Sequence, residues 1–146
     1  ALDKQVVQYI ADSAATCNMT PDADGLTNYR ECSRPLGLAN GEEISIVGYG
    51  DLTVNFRTDH GWVRVKMNDV AHVPQLCHNL ISLPSMTLKG HTYMGDKGGV
   101  TLKLKGGETV FFPLVGKLCR QYGFRPEAAG SMVDSACTTI APGKTK

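Results

Sequence analysis

The stretch "YIADSAATCNMT", Tyr9 to Thr20, holds the residues best suited to chemistry. An aspartate followed by a hydroxyl and two small side chains, Asp12-Ser13-Ala14-Ala15, can form a tight turn that presents a carboxylate for acid–base work. The same residues also suit the polar start of a helix. The other reactive side chains form no set. Five cysteines, Cys17, Cys32, Cys77, Cys119 and Cys137, are odd in number and widely spaced, with no CxxC pair. Zinc-ribbon spacing is absent, and the four histidines, including His72 and His78 on either side of Cys77, lack partners at short fixed intervals. The expectation is no metal and no cofactor, with free thiols in a reducing, cytoplasmic compartment.

The elements that must position Asp12 are mostly strands. "EEISIVGYGDLTVNF", Glu42 to Phe56, alternates apolar and polar residues on either side of Gly48 and Gly50, which predicts a hairpin turning at those glycines. "GWVRVKMNDV", Gly61 to Val70, puts Val63, Val65 and Met67 on one parity and Trp62, Arg64 and Lys66 on the other. "GVTLKLKGGETVFFPL", Gly99 to Leu114, predicts a hairpin turning at Gly106-Gly107. One short helix is expected within Leu80 to Gly90, with Pro84 in its first turn. For Leu2 to Ala15, an amphipathic helix and a strand ending at Asp12 fit equally well. The small, polar tail from Glu127 is expected to be extended or disordered.

The 146 residues suggest one domain with a real core, and 42% hydrophobic with 20% charged residues is a folded composition. The net charge of +1 gives no electrostatic case for nucleic acid. No apolar run is long enough for a bilayer and no secretory signal is visible, so no membrane partner is expected.

The order of motifs says more than composition. "IADSAATCNMT", "LANGEEISIVGYGDLTV", "VRVKMNDVAHVPQLCHNLISL" and "LKGHTYMGDKGGVTLKLKGG" follow one another from Ile10 to Gly107, within a resemblance that covers about Tyr9 to Leu118. Together they resemble the protease region of copia-type LTR-retrotransposon polyproteins, a branch of the retropepsin-like aspartic proteases. There an Asp-Ser-Gly-Ala-Thr-x-His-Met loop precedes an Ile-x-Gly-x-Gly strand pair. An Asp-Val-x-x-Val-Pro-x-Leu-x-x-Asn-Leu-Ile-Ser segment follows. "ACTTIAPGK" looks like the linker before an integrase region.

That resemblance implies a mostly β, retropepsin-like closed barrel with a glycine-rich flap and one short helix, working as a homodimer. It divides the chain into a protease domain, residues 1–126, and a linker, 127–146. It implies an aspartic endopeptidase that processes a Gag-Pol polyprotein, in the cytoplasm within virus-like particles. Asp12 is then the catalytic carboxylate and Ser13 the hydroxyl that braces the two loops across the dimer. Ala14 stands where glycine is usual, and Asn18 where histidine is usual. Ile46, Val47, Gly48, Tyr49 and Gly50 become the flap over the substrate. Leu76-Cys77 replaces an apolar-Gly pair ahead of Asn79-Leu80-Ile81, a segment assigned to packing. A second Asp-Ser-Ala, at 134–136, is assigned to chance. The alternative is a catalytically silent peptide-binding or assembly module, with Ala14 as its ground. A third reading is a plain β-rich structural domain with Asp12 in a helix.

Overall fold

The computed structural model describes residues 6–126, with Ala39 excepted. In chain order the elements are β1 Val6–Asp12, β2 Met19–Thr20, β3 Thr27–Gly37, β4 Glu43–Thr58, β5 Gly61–His72 and β6 Asn79–Ser82. The helix α1 Leu83–Leu88 follows, then β7 Thr92–Asp96, β8 Gly99–Lys103, β9 Thr109–Val115 and β10 Leu118–Phe124. The expected tail, the second Asp-Ser-Ala and Cys137 lie outside the described residues.

The strands pair in the order β3-β4-β5-β2-β6-β1-β10-β9-β8-β7, and β10 also meets β4 at Gly123↔Phe56 and Phe124↔Asn55. The result is a mostly β, barrel-like domain with one short helix. β4 can serve so many neighbours because it is 16 residues long. Along one edge, residues 43–51 take β3 and residues 55–56 take β10, while β5 runs along the other. Alternation puts Leu52, Val54 and Phe56 inside with Val63, Val65 and Met67 of β5. Tyr9, Phe56 and Phe112 join β1, β4 and β9 through edge-to-face contacts at 5.7 and 5.6 Å.

Three expectations change here. The ambiguous N-terminal stretch is a strand from Val6, with Asp12 at its end. The helix lies within the expected stretch but takes only Leu83–Leu88 of it, because Asn79–Ser82 is claimed by pairing with β1, and Ser82 caps the helix with Pro84 in its first turn. Ile46–Gly50 is not a hairpin tip. β4 runs through it unbroken, and the turn lies earlier, where Gly41 has φ +89° and Leu38 N–H donates to Glu42 O at 2.8 Å. Gly48 and Gly50 serve close approach instead. A Cβ at Gly48 would overlap the Tyr29 ring of β3, and one at Gly50 would lie 2.9 Å from Leu26 Cβ.

A crease crosses β3, β4 and β5 where β4 passes from β3 to β10. The β3–β4 register shifts between Thr27 and Arg30, and the β4–β5 register between Gly50 and Leu52. Asn28 and Asp69 there have φ +53° and +60°. Asp51 ties them, accepting from Asn28 Nδ2 at 3.0 Å and from Asp69 N–H at 3.1 Å. These bonds, the Asn28 one foremost, hold the Asp51 carboxyl below its ordinary value of 3.8. A carboxyl lowered in the fold favours folding when ionised. Its contribution is complete above about pH 4 and fades as pH falls through the lowered value. Asp51→Asn is therefore expected to lower the melting temperature at pH 7, where that contribution is complete, and to converge on the wild type as pH falls below about 4, which flattens the acid limb of a melting-temperature profile.

Candidate functional site

β1 delivers Asp12 to the rim of the barrel wall, flanked by β6 in parallel, with Asp12 opposite Ser82. The chain then turns. Asp12 Oδ1 accepts the Ala14 N–H at 2.8 Å, so the carboxylate is folded back on its own loop. Asp12 is half-buried, whereas Ser13, Ala14 and Thr16 are exposed. Ala14 is not among the residues with positive φ, so its methyl group meets no left-handed strain.

Beneath the exposed rim the loop is held by buried polar ties. Ser82, fully buried, donates its hydroxyl to Ala15 O at 2.6 Å and accepts the helix N–H of Ser85 at 3.0 Å. Its own N–H goes to Asn18 Oδ1 at 2.7 Å. Asn18 is buried, and its Nδ2 faces Met86 Sδ of α1 at 3.9 Å. One serine thus caps the helix and pins the loop. Ser82→Ala leaves Ala15 O without its partner and removes the cap, with an expected cost of roughly 2–4 kcal/mol in urea denaturation.

A second buried layer lies one step further along the same strands. Arg125, just past β10 and 4% exposed, spends every N–H on a neutral acceptor. Nε donates to Tyr9 OH at 2.7 Å. Nη1 donates to Asp22 O at 3.0 Å and Asp24 O at 2.6 Å. Nη2 donates to Thr20 Oγ1 and Asn79 Oδ1, each at 2.9 Å. Thr20 in turn donates to Asn79 Oδ1 at 2.6 Å, and Asn79 Nδ2 to Gln8 O at 3.2 Å. Burial pushes the Tyr9 hydroxyl up by more than the Arg125 charge pulls it down, so Tyr9 stays neutral. β1, β2, β6 and the end of β10 are locked together under the Asp12 loop.

Ile46 belongs to a smaller core with Ala15, Met19, Ala71 and Val73, against which Cys17, Ile44 and Tyr49 pack. The first half of β4 is thereby joined to the Asp12 loop, although it is a strand and not a tip. Val47 is half-buried beside it. His72 Nδ1 bonds Tyr29 OH at 2.8 Å, and His78 is exposed. Among the described residues no three His, Cys, Asp or Glu side chains are grouped to hold a metal. Asn18 and Ser82 stood in visible motifs but carried no sign of their hydrogen bonds. Arg125 gave no signal at all, because its acceptors come from three separate segments, Tyr9, Thr20–Asp24 and Asn79.

A barrel-like β domain with a half-buried carboxylate turn at the end of a strand is the class that fold and site define. Residues 9–91, from β1 to just past α1, match the family described as Pol polyprotein, beta-barrel domain. They make up more than half of the 146 residues, and the chain belongs to that family. It is a region of a retrotransposon or retroviral Pol polyprotein. No curated protein matches the chain. β7, β8, β9 and β10, and with them Arg125, lie beyond the matched stretch.

Proposed function

We propose that this chain is a copia-type aspartic endopeptidase that processes a Gag-Pol polyprotein as a homodimer. The observation that carries the reading is the Asp12 turn: a half-buried carboxylate at a strand end, oriented by the Ala14 N–H at 2.8 Å above a locked floor. Peptide hydrolysis without metal needs an activated water and a proton for the leaving amine. Two carboxylates about 3 Å apart supply both, since like charges that close cannot both ionise. The ionised one takes a proton from water, and the protonated one polarises the scissile carbonyl. The pair titrates as a unit.

The second carboxylate comes from Asp12 of another copy across a two-fold axis. Ser13, exposed beside it, is the hydroxyl available to the partner's loop. The ring of pairings from β4 through β5, β2, β6, β1 and β10 back to β4 supports the closed retropepsin-like barrel. The flap is the β3–β4 hairpin, with its tip at 38–42 and Ile46–Gly50 in its stem. The tip closes over an extended peptide and excludes water. The silent-module alternative rests on Ala14, and its unstrained backbone and its hydrogen bond to Asp12 favour catalysis instead. The domain runs to residue 126, with 127–146 as the linker.

The test is cleavage of a mixed peptide library from acidic to neutral pH, with and without a pepstatin-type inhibitor. Sedimentation runs alongside. Inhibitable cleavage by a dimer supports the protease. Folded, dimeric protein that cleaves nothing leaves the silent module.

A further inference from the structure

We propose that the outer face of the β4–β5 hairpin, at the end remote from Asp12, binds single-stranded nucleic acid. The residues are Arg57, Trp62, Arg64, Lys66 and Phe124. Trp62 and Arg57 are cross-strand partners, as are Arg64 and Asn55, and Lys66 and Thr53. Phe124 of β10 lies next to Asn55 on the other side of β4. All five side chains therefore belong to one continuous sheet surface, since alternate residues share a face. Arg57, Trp62, Arg64 and Lys66 are exposed, and Trp62 keeps 40% of its surface in solvent.

The surface is charged in one sense. The outward positions of this stretch, 53, 55 and 57 on β4 and 62, 64 and 66 on β5, include three cations and no carboxylate. The hairpin's acids lie beyond it. Asp59 is in the turn, and Asp51 and Asp69 are at the crease, where Lys66 is near enough to be a minor influence on Asp51. The one ion pair among the described residues, Arg30–Asp69, is also there, so none of the three cations is neutralised by an ion pair. Arg64 gives only its Nε to Asn55, at 3.3 Å. The chain's net charge of +1 argues against a polyanion for the molecule as a whole. The fold separates the charges, and this face is complementary to phosphate.

Aromatic groups distinguish the occupant from a plain polyanion. Trp62 has the Arg57 guanidinium at 5.7 Å from its ring centre and Phe124 at 6.4 Å. An exposed indole set among cations provides a stacking platform for unpaired bases, whose faces a duplex conceals. β5 carries Ala71, paired with Met19 of the Asp12 loop, at its opposite end, so this surface and the carboxylate turn are separate. The proposal is independent of peptidase activity.

Trp62 is the only tryptophan, so its fluorescence reports on this face alone. The full chain is titrated with oligo(U) RNA at low salt. Affinities of variants are read from the anisotropy of fluorescein-labelled oligo(U), with melting curves to confirm folding. The expected result is quenching of Trp62 and a log–log salt slope of about −2 for three phosphate contacts. Trp62→Leu should weaken binding by roughly fivefold or more with the slope kept. The triple variant Arg57→Gln, Arg64→Gln, Lys66→Gln should abolish most of the slope. Absence of both quenching and an anisotropy rise overturns the proposal. So does RNA binding that survives both variants. Trp62-dependent binding only to heparin or anionic vesicles assigns the face to another partner and also overturns it.

Discussion

Asp12→Asn is expected to remove peptide cleavage, lowering kcat/KM by at least about a thousandfold. In a homodimer every active site carries the change twice, so the general base and the proton-bearing partner are lost together. One positioned acid or base alone is commonly worth about 10²–10⁴ in rate. The substitution should spare the fold. The asparagine Oδ1 still accepts the Ala14 N–H that now binds the carboxylate at 2.8 Å, and Asp12 makes no ion pair with a described residue. The melting temperature should therefore move little, as for surface changes of about 0.5 kcal/mol or less. Mixed dimers of one wild-type and one Asp12→Asn chain, purified by two tags, should be as inactive as the variant. Cleavage that persists in Asp12→Asn would place the chemistry elsewhere and end the aspartic-protease reading.

The second large effect concerns stability. Arg125→Leu should destabilise the protein by on the order of 4 kcal/mol, a large part of the roughly 5–15 kcal/mol that holds a domain together. The leucine fills part of the volume, but Thr20, Asn79 and the carbonyls of Asp22 and Asp24 lose a charged donor in a site that is 4% exposed. Buried acceptors without partners carry most of that cost. Arg125→Lys should recover only part, because an ammonium has three donors on one nitrogen and cannot span five acceptors held by a planar fork. Urea midpoints for the wild type and both variants measure this. A Leu variant within about 1 kcal/mol of wild type would mean that the guanidinium contributes nothing net, as some buried charges do. Because the network lies under the Asp12 loop, activity should fall in the same order as stability, wild type above Lys above Leu.

Much of the wall was legible locally. Period-two alternation in Gly61–Val70 identified the buried Val63, Val65 and Met67, and Gly106-Gly107 marked the β8–β9 turn, because these patterns depend only on neighbouring residues. The Asp12 turn was legible as one of two options. Its strand followed only from pairing with Asn79–Ser82, about seventy residues away, and with β10, more than a hundred residues away. Reading Gly48 and Gly50 as a hairpin turn was wrong for a related reason. Glycine marks places where a side chain does not fit, and a local pattern cannot distinguish a bend from the passage of Tyr29 over the strand.

The sequence by itself determined the alternation that makes this a β domain, and the residue types around Asp12 that suit a carboxylate turn. Those properties reside in side chains a few positions apart. Only the tertiary structure decided that Ser82 and Asn18 hold that turn and that Arg125 locks the strands below it. It alone decided that Arg57 and Phe124 join Trp62, Arg64 and Lys66, whose shared parity was already legible, on one face of a nearly neutral chain. Burial, hydrogen bonding and charge segregation are relations between distant segments, and they exist only once the chain has brought those segments together.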